Sequence, residues 1–184
     1  GPQHSSQLVT PSAAIAAAIR FRYALMPYWY SLMCDASVRG VPIVRPLCYE
    51  FQDIDSSELC WTESESFMIG KSLLVTNVLS PASETSGRRS VYLPVASKRD
   101  AGNAWYDFWS GTCYRGGQTI DVKLEGLSHI PLFVRGGSVV PVAIDPDPVN
   151  GGVRSSRERQ RAMKFIVAAL EGTSFTRYEE RGST

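Results

Sequence analysis

The 184-residue sequence has no apolar run approaching the roughly 20 residues needed to span a bilayer, so no transmembrane helix is expected. It has no cationic excess: 19 Lys and Arg stand against 18 Asp and Glu. A net charge of +1 gives no electrostatic handle on nucleic acid or on an acidic membrane surface. Histidine is scarce, with His4 in a tail and His129 in a strand-like segment. The four cysteines, Cys34, Cys48, Cys60 and Cys113, form no CxxC pair and show no zinc-ligand spacing, so no metal site is expected. Buried free thiols are the simpler expectation for them, with a Cys48–Cys60 disulfide as the alternative in an oxidising lumen. No secretory leader is visible, and Gly1-Pro2 resembles the scar of a cleaved tag, so the natural N-terminus is expected to be missing.

What is present is core-forming material. Hydrophobic residues make up 43% of the chain and charged residues 20%, a balance that excludes disorder. Residues 12–38 read as a helix, with Ser12 as N-cap, a kink or division at Pro27 and a left-handed stop at Gly40. Ile15, Ile19, Tyr23, Met26, Tyr30 and Met33 follow at steps of three and four and are expected to face the core. The aromatics Tyr23, Tyr28, Trp29 and Tyr30 are likewise expected to be core rather than a sugar-stacking platform. Val41-Pro42-Ile43-Val44 is short and apolar, as in a strand covered on both faces in a parallel sheet. One helix–strand unit cannot supply both covers, so the rest of that sheet is expected from outside the chain.

From about residue 67 the texture is β. Residues 72–78, 90–93, 105–108, 119–124, 131–134 and 138–142 are short strand-like runs separated by glycine or proline turns, the pattern of an antiparallel sandwich. Residues 144–162 read as a linker, with Arg154 to Arg161 as a solvated connector, followed by strands in 163–170 and 174–178. Asp53 and Asp55 are spaced as a possible carboxylate pair but are expected in a solvated loop, and Arg45 with Glu50 is expected to be a structural ion pair, with a place at the border of a pocket as the alternative.

Six stretches, in order, carry a family resemblance. They are Arg22-Tyr23-Ala24-Leu25-Met26-Pro27-Tyr28-Trp29-Tyr30, Gly40-Val41-Pro42-Ile43-Val44-Arg45-Pro46-Leu47, Phe67-Met68-Ile69-Gly70 with Leu73-Leu74-Val75, Trp105-Tyr106-Asp107-Phe108-Trp109-Ser110-Gly111, Ile130 to Pro141, and Ser174 to Gly182. Together they resemble the C-terminal third of glycoside hydrolase family 31. The resemblance implies a mixed fold: the last helix and strand of a (β/α)8 barrel (residues 1–68), a proximal C-terminal β-sandwich (69–143), and a linker with the start of a distal β domain (144–184). Ser64-Glu65-Ser66 stands where the family usually has Asp-Asp-Gln.

Tyr28-Trp29-Tyr30 and Val153-Arg154-Ser155-Ser156 resemble the subfamily of catalytic α-subunits of endoplasmic-reticulum glucosidase II. The implied parent is a retaining α-glucosidase that trims glucose from N-glycans in the endoplasmic-reticulum lumen, with a lysosomal or secreted enzyme as the alternative. Its implied partners are an oligosaccharide or glycoprotein glycan, the upstream barrel of the same polypeptide and a non-catalytic β-subunit; no cofactor is implied. Retaining enzymes need two opposed carboxylates. The family's nucleophile lies in a Trp-x-Asp-Met-Asn-Glu motif that does not occur here. No catalytic or substrate-binding residue is therefore assigned, and the chain is expected to be inactive alone. A self-sufficient carbohydrate-binding sandwich and a purely structural module are the competing readings.

Overall fold

The structure, a computed structural model, describes residues 10–80, 86–98, 102–126, 129–144 and 163–168. The connector at Arg154–Arg161, the Val153-Arg154-Ser155-Ser156 stretch and the strand expected at 174–178 lie outside them.

The long helix divides fully in two, α1 (Pro11–Ala24) and α2 (Met26–Arg39). The division falls at Leu25, and Pro27 sits in the first turn of α2, where its missing N–H would have had no helical partner. Thr10, not Ser12, caps α1: Pro11 occupies the first helical position, so the capping oxygen must precede it, and Thr10 Oγ1 accepts from the Ala13 N–H at 3.4 Å. Gly40 ends α2 with φ 69°, its N–H bonded to the Ala36 carbonyl at 2.8 Å.

The expected core face of the helices is corrected by the structure. Ile15, Ile19, Tyr23, Met26, Tyr30 and Met33 are all 38–61% exposed. The inward face is Ala24, Leu25 and Tyr28, with Phe21, Trp29 and Leu32 partly buried beside them. Both faces of the pair are apolar, and periodicity reports a stripe without reporting what covers it.

The strand expected in a parallel sheet is also corrected. β1 (Val44–Pro46) pairs antiparallel with β2 (Ser66–Ile69) at a sheet edge, Val44 opposite Ile69. Val44 is 51% exposed, while Arg45 is the residue buried. Two short helices, α3 (Leu47–Phe51) and α4 (Leu59–Thr62), fill the connection. The further strands are β3 (Leu73–Thr76), β4 (Arg88–Leu93), β5 (Ala104–Asp107), β6 (Cys113–Arg115), β7 (Gln118–Lys123), β8 (Leu132–Arg135), β9 (Val139–Ala143) and β10 (Met163–Val167). They form a six-stranded antiparallel sheet in the order β1-β2-β3-β8-β5-β6 and two antiparallel ribbons, β4–β7 and β9–β10. The β2–β3 hairpin carries this sheet across the boundary placed at 68/69.

The six-stranded sheet is covered on both faces. One core contains Leu47, Phe51, Met68, Leu74, Leu93, Trp105 and Phe133, and brings α3 and β4 onto one side. The other contains Leu25, Tyr28, Ile69, Leu73, Leu132, Val134 and Val140, and brings α2 and β9 onto the opposite side. Neighbours in sequence alternate between the two cores, Met68 and Ile69, Leu73 and Leu74, Leu132 and Phe133, because successive strand side chains point to opposite faces. Double burial is why β3 and β8 read as unbroken apolar runs rather than the alternation usual in antiparallel sheets.

Tyr28 pins the helices to the sheet. Its hydroxyl donates to the Ile69 carbonyl at 2.8 Å. Gly70 is required there: at φ +60° a Cβ would lie 2.6 Å from both the Tyr28 Oη and a Leu32 methyl. Burial pushes the Tyr28 phenol up to about 12 from 10.0, and burial likewise pushes Tyr92, a donor to Asp55, up to about 12. A raised folded-state value means that both phenols favour the fold fully below their unfolded value and lose that contribution as pH rises through the folded one. Stability is therefore expected to decline between about pH 10 and pH 12 in urea unfolding series, and Tyr28→Phe to flatten the decline. An equally steep decline in Tyr28→Phe would remove Tyr28 as its source.

Candidate functional site

Two polar arrangements were assembled from residues distant in sequence. The first centres on Glu50 of α3. Arg45, the one buried residue of β1, donates from Nη1 to Glu50 Oε2 at 2.7 Å and from Nε to the Pro42 carbonyl at 2.7 Å. Arg135, at the end of β8, donates from Nη1 to Glu50 Oε1 at 3.1 Å and from Nε to the Ala96 carbonyl at 3.1 Å. Its guanidinium lies 5.0 Å from the centre of the Phe51 ring. Burial pushes Arg135 below its usual range, and the neighbouring Glu50 pulls the other way. The expected Arg45–Glu50 pair is present, extended to a triad that ties β1, α3 and β8 together. Both Glu50 oxygens are occupied by guanidinium donors, so the triad is a clamp with no oxygen presented to a cleft.

Asp53 and Asp55 do not form a pair. Asp53 is exposed, whereas Asp55 is 3% exposed, which corrects the expectation of a solvated loop for it. Asp55 accepts from the Tyr92 hydroxyl at 2.7 Å, the Val95 N–H at 2.8 Å and the Ser57 N–H at 2.9 Å. Two of these donors arrive from β4 and the segment after it, some 40 residues on, so no local pattern announces them. Where the family's Asp-Asp-Gln is replaced by Ser64-Glu65-Ser66, Glu63 supplies the acid: its Oε1 accepts from the N–H groups of Glu65 and Ser66 at 2.8 and 3.1 Å.

The aromatic set on the helices is split. Tyr28 is buried, Trp29 half-buried, and Tyr23 and Tyr30 exposed, so the four make no common platform. Among the cysteines only Cys60 is buried; Cys34 and Cys48 are half-buried, Cys113 is exposed, and all four are free. Burial pushes the Cys60 thiol up to about 11.

The second arrangement is a surface groove of about 580 Å³ that sequence reasoning missed. One wall is the end of the β4–β7 ribbon, where Arg88 pairs with Asp121. The other is the turn between β5 and β6. There Asp107 Oδ1 accepts from the N–H groups of Trp109 and Ser110 at 2.9 and 2.7 Å, which closes the turn and brings Trp109 to the groove. The available signal was Asp107-x-Trp109-Ser110-Gly111: an Asx-type turn that carries a large aromatic to the surface.

Comparison with known proteins follows the same span. Residues 40–140 match the glycosyl hydrolase family 31 C-terminal domain. A probable glucan 1,3-alpha-glucosidase of Oryza sativa subsp. japonica is 39% identical over 71% of this chain and 13% of its own length. An alpha-xylosidase of Saccharolobus solfataricus is 39% identical over 90% of this chain and 20% of its own. Among solved structures, a glucosidase II alpha subunit superposes with a TM-score of 0.60 at 25% identity, covering 79% of this chain and 15% of that one. The chain thus spans a fifth or less of the relatives it matches.

Proposed function

This chain belongs to glycosyl hydrolase family 31, and from that membership we propose that it is the C-terminal piece of a retaining α-glucosidase, bracing a catalytic barrel that it does not itself contain. The observation that carries this reading is the outer face of α1 and α2. Six apolar side chains, Ile15 to Met33, stand 38–61% exposed on a helix pair already anchored by its other face. Large apolar side chains left outward at helical spacing mark an interface, and in a chain spanning 13% of a relative's length the natural occupant is the remainder of the same polypeptide. The carboxylate pair of the retaining reaction would come from that remainder. Here Glu50 and Asp55 are consumed by structural donors.

The parent is proposed to trim terminal α-linked glucose from N-glycans in the endoplasmic-reticulum lumen, alongside a non-catalytic β-subunit. The likeness to the glucosidase II alpha subunit and to a glucan 1,3-alpha-glucosidase supports this assignment. Because one barrel serves glucosides and xylosides within the family, the substrate must be read by assay. The 184-residue chain is expected to release no aryl aglycone from a p-nitrophenyl α-glucoside above a blank; turnover would refute the scaffold role. Full-length enzyme is expected to prefer an α-1,3-glucosylated high-mannose glycan over maltose. Cleavage of maltose with no trimming of the glycan would move the parent to a lysosomal or digestive type.

A further inference from the structure

We propose that the groove beside Trp109 is a saccharide-binding site on the sandwich itself, taking a short neutral oligosaccharide. Its volume, about 580 Å³, falls in the range of roughly 300–1,000 Å³ typical of small-ligand sites. Trp109 supplies the apolar surface. Its indole N–H is anchored to the Ile130 carbonyl at 2.9 Å, and Phe21 and Phe108 pack against the ring with centroids 5.1 Å away. Even so, 46% of the residue stays exposed. A rigidly held aromatic surface costs little entropy on binding, and it suits the C–H face of a pyranose.

His129 supplies a free donor. Its Nδ1 accepts from the Glu125 N–H at 3.0 Å, so the neutral ring carries its proton on Nε2. That buried Nε2 has no partner, and His129 lines the groove. Solvent does not reach Nε2 in this arrangement, so a ligand hydroxyl would accept from it only after the ring turns toward the groove.

Charge selects the ligand class. Arg88 is paired with Asp121, and Asp107 is spent on its own turn. The charges left in the lining are Lys123 and Glu125, one of each sign. A phosphate or sulfated chain needs surplus cation and a basic peptide needs surplus acid; a polyol uses a donor and an acceptor side by side. The proposal goes beyond the scaffold reading and rests on it only for the choice of probe.

The test is titration of the 184-residue chain with maltotriose, followed by tryptophan fluorescence and by heteronuclear NMR. Saturable binding in the millimolar range is expected, with chemical-shift changes centred on Trp109, His129 and Lys123. Trp109→Ala is expected to weaken it about tenfold. Because Trp109 also packs on Phe21 and Phe108, His129→Ala and Glu125→Ala serve as second variants, each checked for an unchanged thermal midpoint and each expected to weaken binding. Trp61→Ala, also exposed but outside the groove, is expected to bind normally. Absence of binding to maltotriose, cellotriose and mannotriose alike by the folded chain would overturn the proposal. So would full binding by Trp109→Ala, or tighter binding of a sulfated oligosaccharide than of any neutral one. None of these outcomes bears on the inactivity expected toward the aryl glucoside, so the two readings fail separately.

Discussion

Trp105→Ala is expected to lower stability by about 3–5 kcal/mol, the usual cost of truncating a large aromatic in a closed core. Trp105 is fully buried within the core shared by Leu47, Phe51 and Leu93. Its ring meets Phe51 edge-on at 5.9 Å, and its Nε1–H donates to the Pro94 carbonyl at 2.8 Å. Truncation therefore opens a cavity and orphans a buried acceptor together. Against a total of about 5–15 kcal/mol for an ordinary domain, the loss removes roughly a fifth of the stability at the least. Trp105→Phe keeps most of the volume and is expected to cost less, chiefly the unmet Pro94 carbonyl, about 1–3 kcal/mol. Urea unfolding with an unchanged slope and a lower midpoint is the expected record. An unchanged midpoint in Trp105→Ala would contradict its place in the core.

Glu50→Ala is expected to be comparably severe, by about 3–5 kcal/mol, because it leaves the buried Arg45 and the largely buried Arg135 guanidinium groups with no anion between them. The side chains of Arg45, Glu50 and Arg135 are 3%, 10% and 20% exposed, so solvent screens the triad little. The loss should accordingly persist between about 0.1 and 1 M salt, unlike that of a surface pair. Pairing Glu50→Ala with Arg45→Met should recover part of it, since an apolar side chain in place of a stranded charge restores packing without the desolvation cost. A loss that vanishes in high salt, or no recovery in the double variant, would show that the clamp is not buried as described.

The contrast between Glu50 and Asp55 shows where local sequence is informative. Arg45 and Glu50 stand five residues apart at the junction of β1 and α3, so opposite charges at short range announced a pair. The third member, Arg135, stands 85 residues from Glu50, and Asp55 takes donors from residues 92 and 95; neither could be read from neighbours in the chain.

Taken by itself, the sequence determined the elements whose causes are local. The helix break came from Pro27, the stop from Gly40, and eight strand-like runs from β-branched and aromatic residues between turns, of which the one at 174–178 lies outside the described residues. The other seven each became a described strand within a few residues, the last as Met163–Val167. The ordered motifs also determined the family, because a long series in fixed order carries more information than any one of them. Tertiary structure alone decided direction and partnership. It turned β1 antiparallel, placed Leu73 and Leu74 in different cores, and left the stripe from Ile15 to Met33 outward while Tyr28 faced in. The reason is physical: dihedral preference and apolar period act within a few residues, whereas burial is a competition among surfaces brought together by the whole chain, and a stripe that satisfies the period cannot name the surface that will cover it.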